Sequence, residues 1–326
     1  MAPVLEVSGL NTVFHTRGGT VQAVRDVSFS VEAGETLAIV GESGCGKTIT
    51  ALSLMRLIPM PPGEIVSGSV VVDGTDLLKL DDAEMREMRG GKIAMIFQEP
   101  MTALNPLLTI GRQIAEMVVL HDKVPRRAAR TRAVEMLNHV RIPEPERRAK
   151  EYPHQMSGGM RQRAMIAMAL ACRPKILIAD EPTTALDVTI QAQILDLIGD
   201  LRREFGTAVV LITHDLGVVA ETANRMIVMY AGRKVEEGPV RELFANPRHP
   251  YMSGLLSSIP KVGSARGLKG LEERLTEIPG IVPPLSNLPV GCAFSPRCPK
   301  ADEKCHAEVP PFEMKRPDHY AACWHS

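Results

Sequence analysis

The chain has 326 residues, with 38 Lys and Arg set against 38 Asp and Glu, so its formal net charge is zero. That balance excludes nucleic-acid binding driven by bulk electrostatics. Hydrophobic residues at 44% and charged residues at 23% exclude wholesale disorder, and the length allows roughly two domains of about 150 residues each. No apolar run approaches the ~18 residues that a membrane span needs. The N-terminus, MAPVLEVSGL, lacks a basic segment and places Glu6 early, so no signal peptide is expected. The expected location is the cytosol or the surface of a membrane, where six cysteines are not read as three disulfides.

Taken in chain order, 21–31 (VQAVRDVSFSV) alternates apolar and polar residues and reads as an antiparallel edge strand. Residues 35–40 (ETLAIV) form a short apolar run that enters a glycine-rich turn, followed by TITALSLMRLI with helical spacing. The segment 68–74 alternates again. Buried strands are expected at 92–97 (KIAMIF), 175–180 (KILIAD), 209–214 (VVLITH) and 225–230 (RMIVMY), with helical patterns such as 190–205 between them. Strands alternating with helices predict a mainly parallel sheet. The stretch from about 104 to 165 carries little strand signal and reads as a charged helical insert; the basic residues of RRAARTRAVEML are expected to form a solvated helix face. Composition shifts near 245: 12 of the 25 prolines and four of the six cysteines lie beyond it. A domain boundary is placed there, dividing 1–245 from 246–326.

Gly41-Glu42-Ser43-Gly44-Cys45-Gly46-Lys47-Thr48 fits G-x-x-x-x-G-K-[ST] between a strand and a helix. Glycines allow the backbone to aim its N–H groups at phosphate oxygens, and the helix N-terminus adds positive potential. In this pattern Lys47 reaches the β- and γ-phosphates and the Thr48 hydroxyl ligates Mg²⁺. The strand ending Asp180-Glu181 delivers two carboxylates: Asp180 for Mg²⁺, Glu181 to polarise an attacking water. Alone, such a pair is by default a cap or a surface feature; beside the phosphate loop it becomes a strong signal. Gln98 and His214 end two further strands. Each alone reads more readily as structural, but both stand where open α/β sheets gather ligands.

Ser157-Gly158-Gly159 opens a helix ahead of the acidic strand and forms a second anion cradle. Here the chain resembles the nucleotide-binding subunit of an ABC transporter, with Ser157-Gly158-Gly159 at its signature sequence. The resemblance implies a P-loop NTPase fold of class α/β, with a RecA-like parallel core, an antiparallel β edge and a helical insert. It also implies a head-to-tail dimer sandwiching two ATP molecules. Gly41, Ser43, Gly44, Cys45, Gly46, Lys47 and Thr48 would cradle the phosphates, and Gln98 would join Thr48 and Asp180 around Mg²⁺. Asp187, in Thr184-Ala185-Leu186-Asp187, matches the loop that communicates across the dimer, and Phe14 is taken as the aromatic that stacks on adenine. The widespread signature has Gln where this chain has Met160, whose thioether cannot replace an amide's hydrogen bonds.

Beyond 245, NPRHPYMSGLLSSIP and GCAFSPRCPKADEKC resemble the tail of oligopeptide and dipeptide importers, forming a small, irregular, cysteine-rich extension. The partners implied are a second ATPase subunit, two membrane permeases and an extracytoplasmic solute-binding protein, with no nucleic acid. The chain would then sit peripherally on the cytoplasmic face of the plasma membrane. Cys292, Cys298, Cys305 and Cys323 follow C-x5-C-x6-C-x17-C, which lacks the close pairs usual for zinc. The resemblance implies a [4Fe–4S] cluster; Zn²⁺ and free or disulfide-forming thiols stay open, with His306 and His319 as substitute ligands. A metal or cluster would cross-link a proline-rich tail that has few apolar residues. Cys172 reads as core, whereas Cys45, at a helix N-terminus, is expected to have a lowered pKa and a reactive thiol. Two rival readings are a soluble ABC ATPase acting on DNA or ribosomes, and an ATPase gated by redox change in the tail.

Overall fold

A computed structural model describes residues 3–184, 186–259 and 278–326, without the side chains of 101 and 102. Met1, Ala2, Ala185, and Pro260 and Lys261 of the segment LLSSIPK lie outside the described residues. The strands are β1 (Leu5–Thr16), β2 (Gly19–Val31), β3 (Thr36–Val40), β4 (Gly63–Val72), β5 (Thr75–Asp76), β6 (Ile93–Ile96), β7 (Ile176–Asp180), β8 (Ala208–Ile212), β9 (Arg225–Tyr230), β10 (Arg233–Pro239), β11 (Glu313–Arg316) and β12 (His319–Ala321).

They form two sheets. One has the order β2-β1-β4-β5 and is antiparallel. The other runs β11-β12-β10-β9-β3-β8-β7-β6; its span from β9 to β6 is parallel, and β10, β12 and β11 add an antiparallel edge. The alternating segments at 21–31 and 68–74 belong to the separate antiparallel sheet. β1 escapes a pattern reading because its register shifts between Val7 and Val13, which breaks strict alternation.

The apolar runs of the parallel strands bury both faces, as a covered sheet requires. Along β7, Ile176 and Ile178 face the core shared with the antiparallel sheet, while Leu177 and Ala179 face the helical core. Along β3, Leu37 and Ile39 face the antiparallel sheet, and Ala38 and Val40 face a third core. That third core contains Tyr251, Met252 and Phe294, so residues beyond 245 complete the cover of β3 and β9. β12 also pairs Ala321 with Glu236 of β10.

No strand lies between β6 and β7. Helices Ile110–Asp122, Arg126–His139 and Gly158–Leu170 fill most of that interval, and Arg126, Arg127 and Arg130 face solvent. The first helix after the phosphate loop, Lys47–Leu54, is shorter than its spacing predicts: Arg56 turns left-handed at φ 49°, and Pro59 follows. Among the described residues no helix is long and apolar enough to cross a membrane.

Candidate nucleotide site

Parallel pairing levels the C-terminal ends of the strands: Ile39 of β3 and Asp180 of β7 both pair with Ile212 of β8. The loops that leave β3, β7, β8 and β6 therefore converge at one edge, carrying residues 41–48, 181, 214 and 98 respectively.

The loop after β3 needs its glycines. Gly41 has φ 152°, and a Cβ there would lie 2.4 Å from the Met229 carbonyl oxygen. Gly46 has φ 104°, and its Cβ would meet the Ala23 carbonyl at 2.6 Å. Lys47 is 6% exposed, and its ammonium donates to the carbonyls of Gly41 (2.7 Å) and Glu42 (3.1 Å). The Thr48 hydroxyl donates to Asp180 Oδ1 at 3.3 Å, placing two hard oxygen donors side by side. That donor set fits Mg²⁺. Burial is the main cause that raises the Asp180 carboxyl above its ordinary value, and the nearby Glu181 charge adds to it.

Glu181 is the hub of the opposite wall. It adopts φ 45°, a left-handed conformation that non-glycine residues rarely hold. Its Oε2 accepts from Gln98 Nε2 (2.9 Å) and from the Thr184 hydroxyl (2.9 Å), and His214 Nδ1 lies 3.2 Å from Oε1. Burial pulls this carboxyl upward, but the hydrogen bonds from Thr184 and His214 outweigh it, and the group sits below its ordinary value. It is thus an ionised acceptor oriented from three sides, able to polarise a water. Thr184 was not foreseen as a site residue, because a threonine in a turn carries no signal of its own.

Ser157 caps the helix Gly158–Leu170 and accepts from the Met160 N–H at 3.4 Å. Met160 itself packs against the helical core, which gives the thioether a use as a hydrophobe. Gln162, on the same helix, donates to the Pro182 carbonyl and ties this cradle to the turn after Glu181. Asp187 caps Val188–Phe205 by accepting from the Ile190 N–H at 2.9 Å, and its side chain is exposed. Phe14 lies on β1, half-buried, with its ring against Gly63.

Cys45 departs from the expectation of a reactive thiol. Its side chain is 1% exposed, packed in the core beside Gly41, and burial raises its pKa despite the attraction of Lys47 and backbone hydrogen bonds. The N–H groups of the loop can face an anion while this side chain points inward, so the helix field does not make a reactive thiol. Cys172 follows its helix, leans on the helical core half-buried and is pushed up to about 12 by burial.

Cys292, Cys298, Cys305 and Cys323 line one small cavity, together with His249, Phe294 and His325. Burial is the leading cause that raises all four thiols. One ligand atom each from Asp302, Cys305 and His325 lie within 4.8 Å of one another. His325 was missed, though its position two residues after Cys323 was a usable signal. His306 is exposed and does not line the cavity. His319 is also corrected as a substitute ligand: fully buried, it pairs through Nε2 with Glu236 at 2.7 Å, while Glu236 accepts from the N–H groups of Arg248 and His249.

Residues 24–184 match the ABC transporter family, and residues 235–305 match the oligopeptide/dipeptide transporter C-terminal region. A Brucella melitensis protein named for peptide import ATP binding is 56% identical, covering 98% of this chain and 96% of that protein. The chain belongs to the ABC transporter ATP-binding proteins. The oligopeptide transport ATP-binding protein OppD of Bacillus subtilis is 53% identical to this ABC ATPase, covering 98% of this chain and 88% of that one. DppD of the same organism, a dipeptide transport ATP-binding protein, is 52% identical over 99% and 95%. Among solved structures, the dimeric post-hydrolysis state of the cassette MJ0796 bound to ADP and Pi is similar, with a TM-score of 0.65 and 30% identity, covering 73% of this chain and 99% of that one. The Clostridium perfringens cassette cbiO1 gives a TM-score of 0.63 at 26% identity, covering 76% and 92%. As a member of this family the chain is an ATPase of the ABC type.

Proposed function

We propose that this ABC ATPase powers uptake of short peptides through two membrane permeases, fed by an extracytoplasmic binding protein, from a peripheral position on the cytoplasmic face of the membrane. The peptide cargo is supported by OppD, DppD and the match of the C-terminal region. The observation that carries the hydrolytic reading is the Glu181 carboxylate, held by Gln98, Thr184 and His214 across from the Lys47 loop.

In this reading the N–H groups of residues 41–48 bind the ATP phosphates, and Phe14 stacks on adenine. Thr48, Asp180 and Gln98 hold Mg²⁺, which when bound neutralises charge on the β- and γ-phosphates. Glu181 orients and polarises the water, and His214 faces the γ-phosphate. Ser157, Gly158 and Gly159 of a second ATPase subunit, a paralogous chain, close over the nucleotide, with Asp187 at the contact. Residues 246–326 act as an accessory unit docked on the cassette of 1–245. Its four cysteines hold a [4Fe–4S] cluster that cross-links the tail; the shared cavity and the thiol donor set support this, while Asp302 and His325 are the donors that a Zn²⁺ alternative would use.

Deleting the gene should abolish uptake of a radiolabelled tripeptide, and wild type should restore it where Glu181→Gln does not. Normal peptide uptake in the deletion strain, with loss of another solute, refutes the cargo. Iron, sulfide and zinc analysis of anaerobically purified protein decides the tail's content.

A further inference from the structure

Glu42 is the first variable residue of the phosphate loop, and all of its polar groups are occupied. Its carboxylate receives two parallel bonds from Arg297, Nη1 to Oε2 at 2.6 Å and Nη2 to Oε1 at 3.0 Å. Its N–H donates to the Tyr251 hydroxyl at 2.7 Å. Its carbonyl accepts from the ammonium of Lys47. Its carbonyl also accepts from the Cys45 N–H at 3.3 Å. Of these partners, Arg297 and Tyr251 come from the extension, and Lys47 is the lysine that meets the phosphates.

The two tail residues are built in. Arg297 is 5% exposed, and Glu42 is its ion-pair partner among the described residues. Its Nε donates to the Pro279 carbonyl (3.0 Å), and its Nη2 also donates to the Ile278 carbonyl (3.2 Å). Tyr251 is fully buried, edge-on to Tyr230 with ring centroids 4.7 Å apart. A planar guanidinium with both ends bound admits one orientation, and a buried arginine does not give up its carboxylate cheaply. Glu42 is consequently held at its side chain and N–H, and so is its carbonyl, one of the two that receive the Lys47 ammonium. The contacts of Glu42 with Tyr251 and Arg297 therefore join the extension to the loop that carries the lysine.

We propose that Arg297 and Tyr251 are positioning residues for the phosphate loop, by which the C-terminal extension sets the affinity of this chain for MgATP. The proposal rests on the ATPase reading of the site and adds a role for the tail to it. Neither residue touches the reacting atoms, so the effect falls on nucleotide affinity and KM, with kcat preserved wherever the complex forms.

The test uses the full-length chain. MgATP binding is measured in a Glu181→Gln background, and KM and kcat are measured with Glu181 present. Arg297→Gln should weaken MgATP binding about tenfold. Tyr251→Phe, which keeps the ring packing, should weaken it about threefold. Glu42→Gln should resemble Arg297→Gln, the Glu42→Gln/Arg297→Gln double variant should be no weaker than the worse single one, and Arg297→Lys should recover part of the loss. If Arg297→Gln does not fold, Tyr251→Phe and Glu42→Gln decide alone. Wild-type affinity in those variants, or additive losses in the double variant, overturns the clamp while leaving the ATPase reading intact. A wild-type chain that neither binds nor hydrolyses MgATP overturns the ATPase reading itself.

Discussion

The nucleotide edge and the cysteine cavity hold their functional groups by different means. At the nucleotide edge, four parallel strands end level, and the loops leaving them carry the side chains to one place. The sheet that does this is buried on both faces by apolar side chains, so the frame exists before any ligand arrives. Around the cysteine cavity the chain is mostly irregular: a turn at Ser295–Arg297, a short helix at Glu303–Ala307 and two short strands. The thiols meet because Phe294 packs into the third core, β12 joins β10, and individual pairs, Glu236 with His319 and Arg297 with Glu42, fix the turns between. A frame of five paired strands tolerates loss of one functional group better than irregular chain pinned at a few points.

The contrast can be broken most sharply at Glu181. Because its surroundings stand without it, Glu181→Gln should lower turnover by about two to three orders of magnitude while leaving MgATP binding and melting temperature near wild type. Steady-state hydrolysis beside equilibrium binding measures both; a comparable loss of fold stability would show that the nucleotide edge is no more preformed than the tail. The converse variant, Cys298→Ser, should leave the cassette folded but lower the melting transition of the tail by roughly 10 °C and expose it to protease. An unchanged digestion pattern would mean that the thiols bear no structural weight.

Smaller effects separate the two regions further. His249 caps the helix Pro250–Ser257 by accepting from the Tyr251 N–H, and complete burial lowers its pKa to about 3. Below pH 6.5 the unfolded chain takes up a proton that the folded imidazole refuses. Stability from this residue therefore falls as pH drops from 6.5 toward 3, by about 1.4 kcal/mol per pH unit, and is constant above 6.5. His249→Asn, which keeps an acceptor at the cap, should remove that slope in denaturation curves recorded from pH 7 to 5; identical slopes would exclude His249 as the source. The smallest effect concerns Cys45. Its alkylation by a maleimide, followed by mass spectrometry, should be about tenfold slower in the folded than in the unfolded chain, with or without MgATP. Fast modification that nucleotide suppresses would return Cys45 to the exposed wall of the site.

Sequence alone determined the five parallel strands and the residues at their ends, because a doubly buried strand is an unbroken apolar run and an anion loop is a local backbone conformation written in glycine. Gln98, Asp180, Glu181 and His214 were legible for that reason. β1 was not, since its bulges disturb the alternation, nor was β10, whose sequence RKVEEGP is largely polar. Tertiary packing turned Cys45 inward, paired His319 with Glu236 and brought Thr184 to Glu181. It alone brought Arg297 to Glu42 across 255 positions. Neither partner's neighbours in sequence name the other. Such pairings depend on how the extension folds back over β9 and β3, and a charge in a sequence does not state which opposite charge it will be buried against.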